Sequence, residues 1–213
     1  MAKTRKPLSR ERILQSALAL ADENGLDALS MRKLGQQLGY EAMSLYNHVA
    51  NKDDLLDGML DIVLGEMEPP ALEEGMAGIR RSAISAHDAL KRHRWAAGLL
   101  MTPTRVRPAR LAYMNALLGA LRNAGLSEET TYHAYHVIDA HVIGFTLWQS
   151  THDFSMPEEI TADVRAFLER VLPADQYPDL HAHGLQHLDE TYDDVSTFEY
   201  GLDLLLAGLE GQS

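Results

Sequence analysis

Cysteine is absent from the 213 residues of this chain. That excludes disulfides and thiolate metal ligands, and it suits a reducing cytoplasm. Long apolar runs are absent too. No stretch approaches the roughly 20 apolar residues needed to span a bilayer, so no membrane partner is expected. No such run follows the basic N-terminus, and no signal peptide is expected. Apolar–polar alternation at period two never persists, which leaves no case for a strand. Internal repeats and low-complexity tracts are missing as well. Basic charge is scarce: 19 Lys and Arg stand against 31 Asp and Glu, a net charge of −12. Taken whole, that balance argues against a polyanionic partner. What is present, 46% hydrophobic and 23% charged residues, is the make-up of a globular protein able to bury a core.

The charge is unevenly distributed. Residues 1–52 hold eight Lys and Arg against five Asp and Glu. Residues 53–150 hold nine against twelve, and residues 151–213 hold two against fourteen. A locally basic N-terminal part can therefore approach phosphate while the acidic C-terminal part stays away from it.

Helical periodicity runs through almost the whole chain, so the expected fold class is all-α. Residues 1–8, with Lys3, Arg5 and Lys6, have no core pattern and read as a flexible basic arm. Ser9 caps a helix reaching about Asn24, with Ile13, Leu14, Ala17, Leu18 and Ala21 on one face and Gly25 as its stop. Ser30 opens a second helix that buries Met31, Leu34 and Leu38 and ends at Gly39. Residues 41–48 form a third, with Leu45 and Val49 inward. Asn51 caps a fourth, and Asp53 and Asp54 sit at its positive N-terminal end. Pro69-Pro70 stops that helix and sets a domain boundary, dividing the chain into 1–68 and 69–213. Further helices are predicted near 73–93, 95–100, 107–124, 127–150, 158–171 and 192–209. Residues 173–191 contain Pro and His, are poorly periodic and read as a loop.

Two short helices around a tight glycine turn have the layout of a helix-turn-helix, whose second helix enters a DNA major groove. Such a helix needs short or polar groups at its N-terminal end and phosphate donors on its flanks. Glu41, Ala42, Met43, Ser44, Tyr46 and Asn47 occupy that surface. Ser30 caps the preceding helix, and Arg32 on it is placed to reach guanine or phosphate. Lys33 and His48 are further donors, and Lys52 lies at the N-terminus of the fourth helix, a position that favours phosphate.

Residues 9–65 resemble the DNA-binding domain of the TetR family of transcriptional repressors. The resemblance rests on Ile13, Leu14, Ala17, Leu20, Gly25 and Leu29, on Ser30, Arg32, Lys33, Leu34, Leu38 and Gly39, and on two blocks. The first is Ser44-Leu45-Tyr46-Asn47-His48-Val49 and the second Asn51-Lys52-Asp53-Asp54-Leu55-Leu56. It implies that Tyr46 and Lys52 contact the DNA backbone and that Arg32 reads a base. It also implies a helical ligand-binding and dimerisation domain beyond Pro70. Residues 93–150 resemble the regulatory domain of tetracycline repressors, notably at Gly125-Leu126-Ser127 and the long helix that follows. In those repressors a histidine after an equivalent His-Arg pair binds the metal of the ligand. The count from His93-Arg94 lands on Leu100, which speaks against a tetracycline–magnesium effector.

The expected protein is a homodimeric, cytoplasmic repressor on a palindromic double-stranded operator, released by a small lipophilic effector. It is not an enzyme, has no catalytic residues and needs no cofactor. Its effector contacts are expected from His87, Met101, Met114, Asn115, Leu118, His141, Phe145 and Trp148. Apolar side chains with few polar anchors suit an adaptable pocket. Helices near 127–150 and 192–209 carry the longest apolar faces and are expected to pair two subunits. Two rivals stand beside this reading. His133, His136 and Asp139, spaced three apart on one helix, have the chemistry of a metal-dependent hydrolase site, although plain packing of that face argues for no metal. The other rival is a DNA-binding activator without effector control.

Overall fold

The computed structural model describes residues 7–102, 107–151, 165–166, 169–186 and 194–211. Among them no residue is in a strand. Helix α1 (Arg10–Asn24) is opened by Ser9, whose hydroxyl accepts from the Arg12 amide at 3.2 Å. It ends at Gly25, where the amide donates to Ala21. Ile13, Leu14, Ala17, Leu18 and Ala21 form the buried face, as the spacing required. A short 3₁₀ turn at Leu26–Ala28 leads to α2 (Met31–Leu38), capped by Ser30 on the Lys33 amide. Then come α3 (Ala42–Leu45) and α4 (Lys52–Gly65), the latter capped by Asn51 on the Asp54 amide at 2.8 Å.

Beyond Pro70 the chain forms α5 (Gly75–Arg92), α6 (Arg94–Leu100), α7 (Pro108–Asn123) and α8 (Glu128–Thr151). They are followed by α9 (Pro178–Gln186) and α10 (Asp194–Glu210). Helix α5 is central: it packs on α7, α8 and α10, and α8 packs on α10. Helix α4 packs on α1 at one side and on α5, α6 and α7 at the other. One set of buried apolar side chains therefore runs from Ile13 in α1 to Leu206 in α10. Arg107, just before α7, ties that helix to α4 by ion pairs to Asp57 at 3.1 Å and Asp61 at 2.5 Å. Arg80 ties α5 to Glu199 and Asp203 of α10 at 2.7 and 2.6 Å.

Three expectations need adjustment. The third helix was expected over 41–48 but spans Ala42–Leu45, and residues 46–48 continue as a turn. Residues 173–191 were expected to be a loop, yet Pro178–Gln186 is helical. Pro178 stands at the first helical position, where its missing amide costs nothing. The basic arm at 1–6 and most of the helix expected over 158–171 lie outside the described residues.

Candidate nucleic-acid interface

The turn between α2 and α3 is set by two glycines. Gly39 has φ 74° and ψ 31°, a left-handed conformation that a side chain disfavours, and it closes α2. The Tyr40 amide donates to the Gly35 carbonyl at 2.8 Å. Gly35 is needed for a different reason. A Cβ there would lie 2.8 Å from the Tyr40 carbonyl oxygen and 3.2 Å from the Ala42 nitrogen. Only a glycine lets α3 cross α2 this closely. Leu45 and Val49 then anchor α3 in the core. Burial of each contributes about 1.5–3 kcal/mol.

With Leu45 inward, the opposite face of α3 is presented outward. Met43 is 74% exposed and Tyr46 41% exposed. Glu41 and Asn47 are exposed, and Ala42, Ser44 and His48 are half-buried. Arg32 and Lys33 at the start of α2 and Lys52 at the start of α4 are exposed. Ser30 is occupied as the cap of α2. The fold thus gathers Arg32, Lys33, Ser44, Tyr46, Asn47 and Lys52 on one short, outward-facing motif.

An ion pair that the sequence reading did not identify holds this motif in place. Arg10 of α1 donates to both oxygens of Asp54, at 2.8 and 2.7 Å, and to the His48 carbonyl at 3.1 Å. Asp54 also accepts the Ala50 amide at 2.8 Å. One carboxylate therefore joins α1, the chain after α3 and the first turn of α4. The hydrogen bonds from Arg10 and from the Ala50 amide hold its pKa down at about 2.

The expected effector residues separate into two groups. His87, His141, Phe145 and Trp148 meet around Phe198 of α10. His87 stacks on Phe198 at 3.8 Å and His141 stacks on it at 4.8 Å. Phe145 makes edge contacts with His87 and Phe198 and a tilted contact with Trp148. Gly201 permits the His141 contact, since a Cβ there would lie 2.8 Å from Cε1 of that ring. The second group is elsewhere: Met101 is 62% exposed, Asn115 is exposed, and Met114 and Leu118 are half-buried. On α7 it is Tyr113 and Leu117 that turn inward. They border an interior gap of about 10 Å³, together with Ala86, Leu100, Ile138 and the Arg110–Asp139 ion pair.

Comparison with known proteins bears on both parts. Residues 13–59 match the family described as "Bacterial regulatory proteins, tetR family". Residues 70–213 match "Tetracyclin repressor-like, C-terminal domain". The chain belongs to the tetR family. As such it is a helix-turn-helix regulator of transcription. The HTH-type transcriptional repressor DrrR1 of Streptomyces coeruleorubidus is 30% identical to this TetR-family regulator, over 95% of this chain and 77% of its own. Tetracycline repressor protein class D of Escherichia coli is 30% identical over 96% and 90%. ActR of Streptomyces coelicolor, solved in complex with actinorhodin, has the same fold with a TM-score of 0.74. It is 32% identical over 97% of this chain and 98% of its own.

The remaining surfaces of the regulator lie on α8 and α10. A groove of about 400 Å³ between them is lined by Thr130, His133, Ala134, Val137, Leu205 and Leu209, among others. Exposed Tyr132, Tyr200 and Leu204 extend its apolar character. The three groups of the hydrolase rival do not converge. Asp139 is held by Arg110 at 2.7 and 2.8 Å, while His133 and His136 are exposed, their rings set edge-on to Tyr132. Among the described residues no three His, Cys, Asp or Glu side chains are placed to hold a metal ion. No described helix is long and apolar enough to cross a membrane.

Proposed function

We propose that this regulator is a cytoplasmic repressor that binds a roughly palindromic operator as a homodimer and releases it when a small, largely apolar effector enters the body. The observation that carries the DNA-binding half is the α2–α3 motif. It turns Arg32, Lys33, Ser44, Tyr46, Asn47 and Lys52 outward, within residues 1–52, where eight Lys and Arg stand against five Asp and Glu. In this reading Tyr46, Lys33, His48 and Lys52 contact phosphate. Arg32, Ser44 and Asn47 face base edges, with Glu41, Ala42 and Ser30 bordering the contact. The two working parts are residues 1–68 and 69–213. Helices α8 and α10 pair with the same helices of a second copy, an isologous contact that places two reading heads on two half-sites.

The effector half rests on the interior of the body. A gap of about 10 Å³ is too small for a drug-sized molecule, so entry must part α5, α7 and α8. His87 supplies a polar anchor. The Thr146 hydroxyl donates to the Val142 carbonyl at 2.8 Å, so its oxygen must accept from Nδ1 of His87 at 3.0 Å. Nε2 of His87 is then the bare, accepting nitrogen, buried without a described partner. It suits an effector that brings a hydroxyl or N–H donor among the rings of Phe145, Trp148 and His141. Relatives fit this scheme: DrrR1 is named a repressor, and ActR was solved with actinorhodin.

The test is fluorescence anisotropy on the DNA that the protein selects from a random duplex pool. Lys52→Ala is expected to weaken binding to every selected sequence alike and to lower the salt slope by about 1. Tyr46→Ala should weaken it similarly. Unchanged affinity and slope in both variants would overturn the docking scheme.

A further inference from the structure

His93 is the single residue between α5 and α6, and it caps both helices. Its side chain is 8% exposed and lies between the head and the body. Nδ1 is 2.9 Å from Oδ1 of Asp22, in the last turns of α1. Nε2 is 3.3 Å from Oε1 of Glu66, just past α4. A carboxylate only accepts hydrogen bonds, and a neutral imidazole has one donor. Only the imidazolium satisfies both partners. The surroundings reinforce the arrangement. Trp95 of α6 donates its indole N–H to the same Asp22 oxygen at 2.7 Å. Arg92 of α5 binds the other oxygen of Glu66 at 2.8 Å. Burial pushes the Glu66 carboxyl up, but the Arg92 hydrogen bond and the His93 charge outweigh it and hold the carboxyl below its ordinary range. Arg94, the first residue of α6, and Asp27 are further charged groups at this junction.

Asp22 and Glu66 close the two helices that carry the reading head, α1 and α4. His93 therefore grips both of them from the joint of the body. We propose that the His93 imidazolium is a positioning residue for operator binding. It sets the angle of the reading head against the body, and through that angle the spacing of the two heads in a dimer. This rests on the homodimeric reading above. A neutral His93 keeps one bond and loses the other, and the angle is then less firmly held. Operator affinity should fall when one of the two bonds is removed.

The experiment compares wild type, His93→Gln and His93→Arg on two duplexes. One is the duplex of highest affinity that wild type selects from a random pool; the other is that duplex with one half scrambled. His93→Gln can donate at one end only and does not titrate. It is expected to bind the full duplex about tenfold more weakly than wild type. Binding to the half-scrambled duplex should be unchanged. His93→Arg, which can donate to both carboxylates, should bind the full duplex more tightly than His93→Gln. Asp22→Asn and Glu66→Gln, each with its melting curve, provide the same comparison should either His93 variant fold poorly. Two results overturn the proposal: equal affinity of wild type and His93→Gln for the full duplex, or an equal loss on both duplexes. Failure of wild type to select any duplex would count against DNA binding itself and would take this inference with it.

Discussion

At the residue scale, folding moves the pKa values of Asp54 and His87, and each predicts a pH dependence. Asp54 is held at about 2 by Arg10 and the Ala50 amide. A carboxyl depressed on folding stabilises the native state above its unfolded value of about 3.9, and that contribution is lost as pH falls toward 2. Asp54→Asn should therefore lower stability at neutral pH by about 1–2 kcal/mol. The difference from wild type should shrink below about pH 3 in thermal melts. His87 differs in cause. Burial holds it at about 4, against the pull of Asp88. The unfolded chain binds its proton first, so stability should decline as pH falls from about 6.5 toward 4. His87→Phe keeps an aromatic ring against Phe198 and removes the titration. It should flatten the melting-temperature profile in that window, and an unchanged profile would count against a buried neutral His87.

At the scale of elements, the decisive one is the four-residue α3. It is too short to hold itself in place, since isolated helices of this length do not form. Its position comes from Leu45 beneath it, the Arg10–Asp54 pair behind it and the glycine crossing before it. Gly35→Ala puts a methyl group against backbone, which has no flexible end to move. A loss of about 1–3 kcal/mol is expected, with operator binding lost more than overall helicity. Circular dichroism and DNA titration on one sample check this. Gly39 was legible in the sequence as a helix stop. Gly35 was not, because helical periodicity has no term for the approach of a second helix. The Arg10–Asp54 pair was equally hidden, its members being 44 residues apart. On α7 the periodicity identified a helix but not its inward face. Met114, Asn115 and Leu118 were expected at the effector, yet Tyr113 and Leu117 border the interior gap. A weakly amphipathic helix covered on several sides leaves its rotation to its neighbours.

At the scale of the molecule, the distribution of charge and apolar surface decides how the chain can work. The acid concentrated beyond residue 150 leaves the N-terminal head locally basic. The apolar groove of α8 and α10 offers a second copy a face to cover. Val137→Glu with Leu205→Glu places like charges across that face on both copies. Sedimentation should then show a monomer. Affinity for a two-half-site duplex should fall toward that for one half-site, because effective concentration is lost. A dimer that persists would move the interface elsewhere.

The sequence by itself determined most of the helices, the caps of the head, the helix-turn-helix and its family. These depend on local spacing, on cap chemistry and on motifs a few residues long, all of which are written along the chain. Only the tertiary structure decided which side chains meet. It brought Phe198 to the histidines of α5 and α8, turned Asp139 toward Arg110 rather than His133 and His136, and set His93 between Asp22 and Glu66. Those partners lie far apart in the chain. Their meeting depends on the rotation and crossing of packed helices, which the free energy of the whole core fixes and no local pattern encodes.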